Sequence, residues 1–505
     1  MKLFNRKTKA AAINKFEKYL KTLSKTESKA ASLFFSEFDA HNDLPRAEKL
    51  SMRADFEKAL LYYDSKGVKL EDALARLNIE NLGGFYIRPP ILWYALDDAA
   101  KIYPLSIRHG QMLVFRLSVY FKDIVVPELL QMALTFTIKR FPTFATTVKK
   151  GFFWHYLDTA KRRYSIQPES DMPCKPLKIS QSSSQSFRVL HYRNRVSVEY
   201  FHILTDGVGG MSFLKTLTAE YLRLLGADAQ TGGDILDING APKKSESVNE
   251  FHRADKTDST SGFIDKPAVQ MSGKLSKIKP CRVLHFKMNS AHLKDAAKKR
   301  DTTVTAYILA MMFIAGKHAT DEHDGNMNIQ VPVNMRKFYP SDTLRNFSMY
   351  CGIKLPISEI TDIGDIIPKI TLQFEQKASK QSMSEMLNST QRMVGAVRCI
   401  PLFIKAPVAR IGYGFLSDRI FSNTLSNLGV VTMPPDLAEY IDSMDFVLGG
   451  ALTNRASCAM VTFGDTATLS ISKCTADPSF EERLYSLLES DGVTPIVEGS
   501  ELHES

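Results

Sequence analysis

YFHILTDGVGGMSFL, residues 200–214, is the stretch on which the reading of this chain turns. It completes a run, RVSVEYFH (195–202), whose alternation sets Val196, Val198, Tyr200 and His202 on one face. That pattern predicts a strand with His202 at its end, on the buried side. After the turn TDGVGG, Phe213, Leu214, Leu217, Tyr221 and Leu224 recur at helical spacing, so a helix follows. The stretch is a strand-to-helix junction with a histidine at the strand end and an Asp-Gly pair four and five residues on. Two readings compete for His202: a core imidazole satisfied by a backbone carbonyl, or a reactive group of the kind such junctions carry. Gly207, Gly209 and Gly210 read as turn glycines that allow tight backbone at the helix start, where amide groups can face an anion.

Outward from the junction the periods stay clear. Upstream, MLVFRLSVYF (112–121) alternates Leu113, Phe115, Leu117, Val119 and Phe121 on one face, which predicts a half-buried strand. Pro127 opens a helix carrying Leu130, Leu134, Ile138 and Phe141, and Phe141-Pro142 closes it. TTVKKGFFWHYL (146–157) is strand-rich, and FRVLHY (187–192) joins RVSVEYFH through Arg193-Asn194 as a hairpin. Residues 226–275 lose periodicity and gather Gly, Ser, Asp and Lys, the mark of a surface crossing between lobes. Beyond it come a strand (RVLHFKM), helices through 290–318, a strand (NIQVPVNM), two helical stretches across 361–416, the hairpin CAMVTF, Gly464-Asp465, TATLSIS, and a closing helix-strand pair. The predicted class is α/β (α+β) with two lobes, each a mixed sheet with helices. The predicted division is a helical basic amino-terminal extension over 1–87, a first lobe over 88–240, a linker over 241–275 and a second lobe over 276–505.

Composition sets the bounds. A chain of 505 residues exceeds what one core usually organises. Its longest apolar run, AYILAMMFIAG from Ala306, is half a bilayer span and reads as a buried helix. The start, MKLFNRKTKAAAINKF, is basic but lacks the apolar core and cleavage site of a secretory signal, so a cytoplasmic protein is expected. The six cysteines show no CxxC pairing and no zinc-ligand pattern with the histidines, so no metal is expected. They read as reduced, buried thiols, with a nucleophilic cysteine the minor alternative. Of a net charge of +10, most lies in residues 1–30, where nine Lys/Arg face only Glu17 and Glu27. There Ile13, Phe16, Leu20 and Leu23 form an apolar stripe on a basic helix. Such a helix either packs on its own protein or rests on anionic lipid as a peripheral contact. Nucleic acid is not expected, because the basic cluster is terminal and lacks interleaved stacking residues.

His202, Asp206 and Gly207 spell HxxxDG, and with it the chain resembles the chloramphenicol-acetyltransferase-like, or condensation-domain-like, acyltransferases. WYALDDAAKIYP (93–104), VPVNMRKFYPSDTLRNFSMY (331–350) and TLSNLGVVTMP (424–434) are similar to the bacterial alcohol O-acetyltransferase branch, in the order that branch has them, so the resemblance spans about residues 88–500. Two departures narrow it: Phe201 stands where condensation domains and wax-ester synthases carry a second histidine, and the DFGWG segment of the plant enzymes is absent.

The resemblance implies a two-lobed fold with a channel between the lobes, and transfer of an acyl group from a thioester to a hydroxyl or amine. His202 is then the general base, with no covalent intermediate. Asp206 points away from the imidazole and pairs with an arginine, for which Arg336 is the candidate, as a bidentate tie between the lobes. Ser426 and Asn427 are candidate oxyanion or substrate-binding donors, against a plain turn, and Asn346 is a further candidate behind them. No resident cofactor is implied; acyl-CoA or a phosphopantetheine thioester enters as co-substrate, so the partners are a small-molecule or lipid acceptor and an acyl carrier protein. The alternative is a non-catalytic or condensation-type binding module of the same fold, peripheral to a membrane. A dinucleotide site at GVGGMS fails, because Ser212 replaces the third glycine and the chain enters its polar linker where a second strand is required.

Overall fold

The hairpin around Arg193-Asn194 is the spine of the first lobe. The computed structural model describes residues 15–87, 93–101, 112–160, 162–177, 185–229, 231–256, 265–407, 419–451 and 453–503. In it β6 (Phe187–Tyr192) and β7 (Arg195–Phe201) pair antiparallel, with Tyr192 opposite Arg195. Arg193 takes a left-handed φ of 51° to turn the chain within two residues. On the other side of β7 lies β2 (Val114–Phe121), and the sheet is completed by β5 (Ile166–Pro168) and β12 (Ile441–Leu448), in the order β12-β2-β7-β6-β5. Helix α5 (Pro127–Thr137), with proline in its first turn, and helix α6 (Gly207–Leu225) belong to the same core. Behind the junction, Phe141, Phe144, Phe187 and Phe213 interlock, Phe144 stacked on Phe213 at 5.0 Å.

The second lobe is built on a seven-stranded sheet ordered β10-β9-β11-β13-β14-β8-β15. Its strands are β8 (Arg282–Asn289), β9 (Asn326–Asn334), β10 (Ser348–Pro356), β11 (Asn423–Val431), β13 (Ala456–Phe463), β14 (Thr466–Lys473) and β15 (Ile496–Gly499). Helices α7 (Ser290–Lys298), α8 (Val304–His318), α9 (Ile363–Lys377), α10 (Lys380–Ala396) and α13 (Ser479–Ser490) accompany it. The apolar run from Ala306 lies in α8, buried from Ala306 to Phe313. A third, small sheet, β1-β4-β3, joins β1 (Trp93–Ala95), β3 (Thr146–Lys150) and β4 (His155–Thr159).

The amino-terminal helices share the first lobe's core. Helices α1 (15–22), α2 (Lys25–Ala40), α3 (Arg46–Ser65) and α4 (Leu70–Arg76) follow one another, α2 opened by a reciprocal Ser24–Glu27 capping box. Phe16 is buried edge-on against Phe35, Phe56 meets Phe136 of α5, and the Tyr63 hydroxyl donates to the Leu224 carbonyl at 2.6 Å. Leu20 and Leu23 pack on the same core, so this much of the apolar stripe faces the protein; Ile13 and the rest of residues 1–14 lie outside the described residues.

One expectation changes, and two further features are set by the fold. The strand expected to be half-buried, β2, is buried on both faces: Arg116 and Ser118, on its polar side, are 2% and 0% exposed. That side is tolerated because it is paired. Arg116 binds Glu199 at 2.6 Å and Glu169 at 2.6 Å, and Ser118 meets Ser197 at 2.9 Å. Second, β12 comes from within residues 276–505 yet pairs antiparallel with β2, Phe446 opposite Leu117, so the chain crosses back into the first sheet. Third, TLSNLG lies on a strand, not in a plain turn. It forms β11, parallel to β13, with a bulge between Asn427 and Val430 where Gly429 has φ 75°. Within the linker stretch, Glu246 takes a bidentate pair from Arg140 at 2.6 Å on each arm.

Candidate active site

His202 follows the last residue of β7, its backbone N–H donating to the Leu113 carbonyl at 2.9 Å. Phe115 of β2 meets the imidazole edge-to-face at 5.2 Å and limits its rotation. The residue is half-buried. Its Nδ1 lies 2.8 Å from Oδ1 of Asn346, and the Asn346 amide nitrogen lies 3.3 Å from Oδ2 of Asp97. Asp97 is buried, accepts from the Ala100 N–H at 2.7 Å, and has Arg345 3.6 Å away. Burial pushes Asp97 above the usual carboxylate range, against the pull of Arg345.

The relay orients itself from its buried end. With the Ala100 N–H and Arg345 also facing Asp97, the Asn346 amide turns its NH₂ toward Asp97 and its oxygen toward His202. The oxygen then requires a proton on Nδ1, which leaves the lone pair of the neutral imidazole on Nε2. Asn346, ranked behind the others from the sequence, is thus the direct partner of the ring. Asp97 was not singled out at all, although it lies within the quoted WYALDDAAKIYP, where two adjacent acids break an otherwise apolar stretch.

Asp206 points away from His202. It caps α6, accepting from the Val208 and Gly209 N–H groups at 3.2 Å each. Its other oxygen takes Arg336 Nη1 at 2.7 Å, the Phe347 N–H at 2.8 Å and the Ser348 hydroxyl at 3.0 Å. Burial alone would raise this carboxylate, but Arg336 and the backbone N–H groups of Phe347 and Gly209 hold it below the usual range. Arg336 is not exposed, and its pairing is not bidentate. One nitrogen meets Asp206; the rest of the guanidinium donates to the Thr343 and Arg345 carbonyls at 2.7 and 2.8 Å. That spread fixes the 343–347 segment, which carries Asn346, against the α6 start.

The glycines serve close approach and not a turn, because the helix begins at Gly207 itself. A Cβ on Gly209 would lie 2.1 Å from the Leu344 carbonyl oxygen, and one on Gly207 would lie 2.5 Å from the Leu428 side chain. Thr205 completes the seam, donating to the same Leu344 carbonyl at 2.6 Å. Leu428 sits on the β11 bulge beside Ser426 and Asn427, so the bulge abuts the motif. Ser426 is buried. Asn427 binds Thr305 Oγ1 at 2.9 Å and accepts from the Gly429 N–H at 2.8 Å, both of which hold the bulge.

A dinucleotide phosphate is excluded at the α6 start, since the Asp206 carboxylate already occupies the amides such a group needs. Four of the six cysteines are poor thiolate nucleophiles: burial raises the Cys174, Cys281 and Cys458 thiols and pushes Cys351 up to about 11.

Comparison with solved structures gives the architecture. TRI101 of F. graminearum, complexed with coenzyme A and deoxynivalenol, matches with a TM-score of 0.56 over 80% of this chain and 99% of its own, at 11% identity. The chain has the two-lobed CoA-dependent acyltransferase fold. TRI3 trichothecene 15-O-acetyltransferase from Fusarium sporotrichioides matches with a TM-score of 0.53 at 12% identity, over 79% of this chain and 94% of that one. Polyketide synthase associated protein 5 from Mycobacterium tuberculosis matches with 0.53 at 11% identity, over 78% and 97%. No protein-family model matches the sequence, and no curated protein matches it. Identities this low establish the acyltransferase fold and nothing finer. Among the described residues no helix is long and apolar enough to cross a membrane.

Proposed function

We propose that this chain transfers an acyl group from a thioester, of coenzyme A or of phosphopantetheine on a carrier protein, to a hydroxyl or amine of a small-molecule or lipid acceptor. The observation that carries the reading is the Asp97–Asn346–His202 relay beside the HxxxDG helix start. With Nδ1–H committed to Asn346, Nε2 takes the acceptor's proton as the acceptor oxygen or nitrogen attacks the thioester carbonyl. The tetrahedral intermediate then collapses, the C–S bond breaks, and the departing sulfur takes that proton back from the imidazolium to leave as free thiol. Proton transfer of this kind is worth about 10²–10⁴ in rate. Placement of the two substrates and stabilisation of the oxyanion supply the remainder. Ser426, two residues before the Leu428 that packs on Gly207, is the proposed oxyanion donor. Asp206, Gly207 and Arg336 act by position: they fix the turn that aims His202 and the segment that presents Asn346.

The test is product analysis. Incubated with acyl-CoA and a panel of alcohols and amines, the protein should add one acyl mass to an acceptor, while its own intact mass stays unchanged. Acyl mass appearing on the protein would contradict direct transfer, and no acylated acceptor across the panel would contradict the function.

A further inference from the structure

Large apolar side chains crowd one place on the outside of the molecule. The β3–β4 turn presents Phe152 and Phe153, 65% and 42% exposed, and the chain entering helix α11 (402–407) presents Ile400, Phe403 and Ile404, with Phe403 at 70%. These form one surface. The Leu402 N–H donates to the Phe152 carbonyl at 2.8 Å, the Phe152 and Phe403 rings lie 6.5 Å apart, and the Lys405 ammonium sits 3.2 Å from the Trp154 ring centroid. Contiguous exposed aromatics of this kind mark a contact surface.

Charge points to what covers it. From Thr147 to Leu157 and from Met386 to Pro407, with Asp158 and Glu385 just outside these stretches, the chain carries Lys149, Lys150, Arg392, Arg398 and Lys405, the last buried on Trp154, and no Asp or Glu. Lys150 and Arg398 are exposed beside the apolar tips. Aromatic rings on turn tips with basic residues at their flanks match a phosphate-bearing bilayer in both depth and charge. The surface also abuts the relay: Lys101, whose ammonium lies 5.7 Å from the Trp154 ring centroid, donates its backbone N–H to the Asp97 carbonyl at 3.1 Å.

We propose that this face docks on an anionic lipid bilayer, with Phe152, Phe153 and Phe403 entering the acyl boundary while Lys150 and Arg398 stay at the phosphates. It is a different surface from the basic amino-terminal helix, whose Phe16 is buried in the protein. It does not depend on the transfer chemistry proposed for His202.

The test is sedimentation of the full chain with phosphatidylcholine vesicles, with and without phosphatidylserine. Binding should favour the phosphatidylserine vesicles and weaken with salt. Phe152→Ser with Phe403→Ser should lower the partition coefficient about tenfold per ring. Lys150→Ser and Arg398→Ser should each lower it about fivefold, on the anionic vesicles only. All these side chains are exposed, so Tm should hold. A second readout needs no variant at these positions. Cys399 is exposed while the other five cysteines are buried, so a polarity-sensitive fluorophore on it should shift to the blue with phosphatidylserine vesicles. Absence of vesicle binding, binding unchanged in the Phe152→Ser/Phe403→Ser variant, or pelleting with no shift at Cys399 would each overturn the proposal. So would concentration-dependent self-association that the double variant abolishes while vesicles are ignored, since the occupant would then be a second copy.

Discussion

Two histidines in this molecule stand in nearly the same company and must have different fates. His202 reaches a buried aspartate through Asn346, with Nδ1 2.8 Å from the amide oxygen. His285, in β8, has Nδ1 2.9 Å from the Ser470 hydroxyl and Nε2 3.9 Å from Oδ2 of buried Asp445. Judged by residue types, the second group looks more like a catalytic triad than the first. Its position says otherwise. His285 sits mid-strand where the two sheets meet, with Ser470 of β14 on one side and Asp445 of β12 on the other, and all three are buried. Asp445 also takes the Tyr120 hydroxyl at 2.7 Å, and Tyr120 receives Arg195 at 3.0 Å. Burial depresses His285 despite Asp445, so the ring is held neutral as part of a polar seam. His202 sits at a strand end beside a helix start and keeps partial exposure. Position therefore separates the two groups: His285 is enclosed within a sheet, whereas His202 lies at a strand end and is half-buried, which is why the proposed base is placed there.

The sharpest break of the comparison is paired substitution. His202→Ala should lower kcat about 10²–10⁴-fold with Tm nearly unchanged, whereas His285→Gln should leave kcat per folded molecule within about twofold and lower stability by about 1–3 kcal/mol. Next in size is Asp206→Asn. It removes the buried carboxylate from its pair with Arg336, so denaturant unfolding should show a loss of about 3–5 kcal/mol. Because the Asp206 pKa is lowered in the fold, its contribution is full above the ordinary value of 3.8 and is lost as pH falls below that. The variant should therefore show a flatter acid limb of stability than the parent.

Smaller effects sharpen the account of the relay. Asp97→Asn replaces an acceptor-only carboxylate with an amide that can present either its oxygen or its NH₂ to Asn346, and should cost about tenfold in kcat with KM little changed. Nitrogen NMR of the imidazole separates orientation from mere structural damage: the parent should show His202 as the Nδ1–H tautomer and the variant a mixture. A variant that keeps the single tautomer and yet loses activity would place Asp97 outside the relay. The smallest effect belongs to the other histidine. His285 has a depressed pKa, so the unfolded chain binds its proton first, and stability should fall as pH drops below the ordinary value near 6.5. His285→Gln should remove that slope, which a thermal unfolding series across pH measures.

Much of this was legible before the structure because it is local. Alternation and turn residues located β2, the β6–β7 hairpin and the β13–β14 hairpin, helical spacing located α5 and α6, and a short apolar run located α8. His202 at a strand end, and Arg336 facing Asp206, also followed from pattern and resemblance. What escaped is non-local. No period in IDSMDFVL tells it to leave its neighbours and pair with β2, more than three hundred residues earlier; only the register does. The burial of Arg116 and Glu199 was invisible because alternation assigns charged residues to solvent, and here they satisfy one another across adjacent strands. Asp97 was missed for the same reason, since a single carboxylate acquires meaning only from the amide folded against it. The glycines were read as turn residues because sequence shows glycine without its neighbour, and the Leu344 carbonyl that forbids a side chain at Gly209 comes from the other lobe.

The most direct test of the central claim, that His202 is the base for thioester acyl transfer, is free-thiol release from acyl-CoA in the presence of an acceptor. The parent, His202→Ala and His285→Gln would be measured side by side. Acceptor-dependent release is expected from the parent and the His285 variant, with a loss of about 10²–10⁴-fold in the His202 variant. Equal release by the parent and His202→Ala would contradict it.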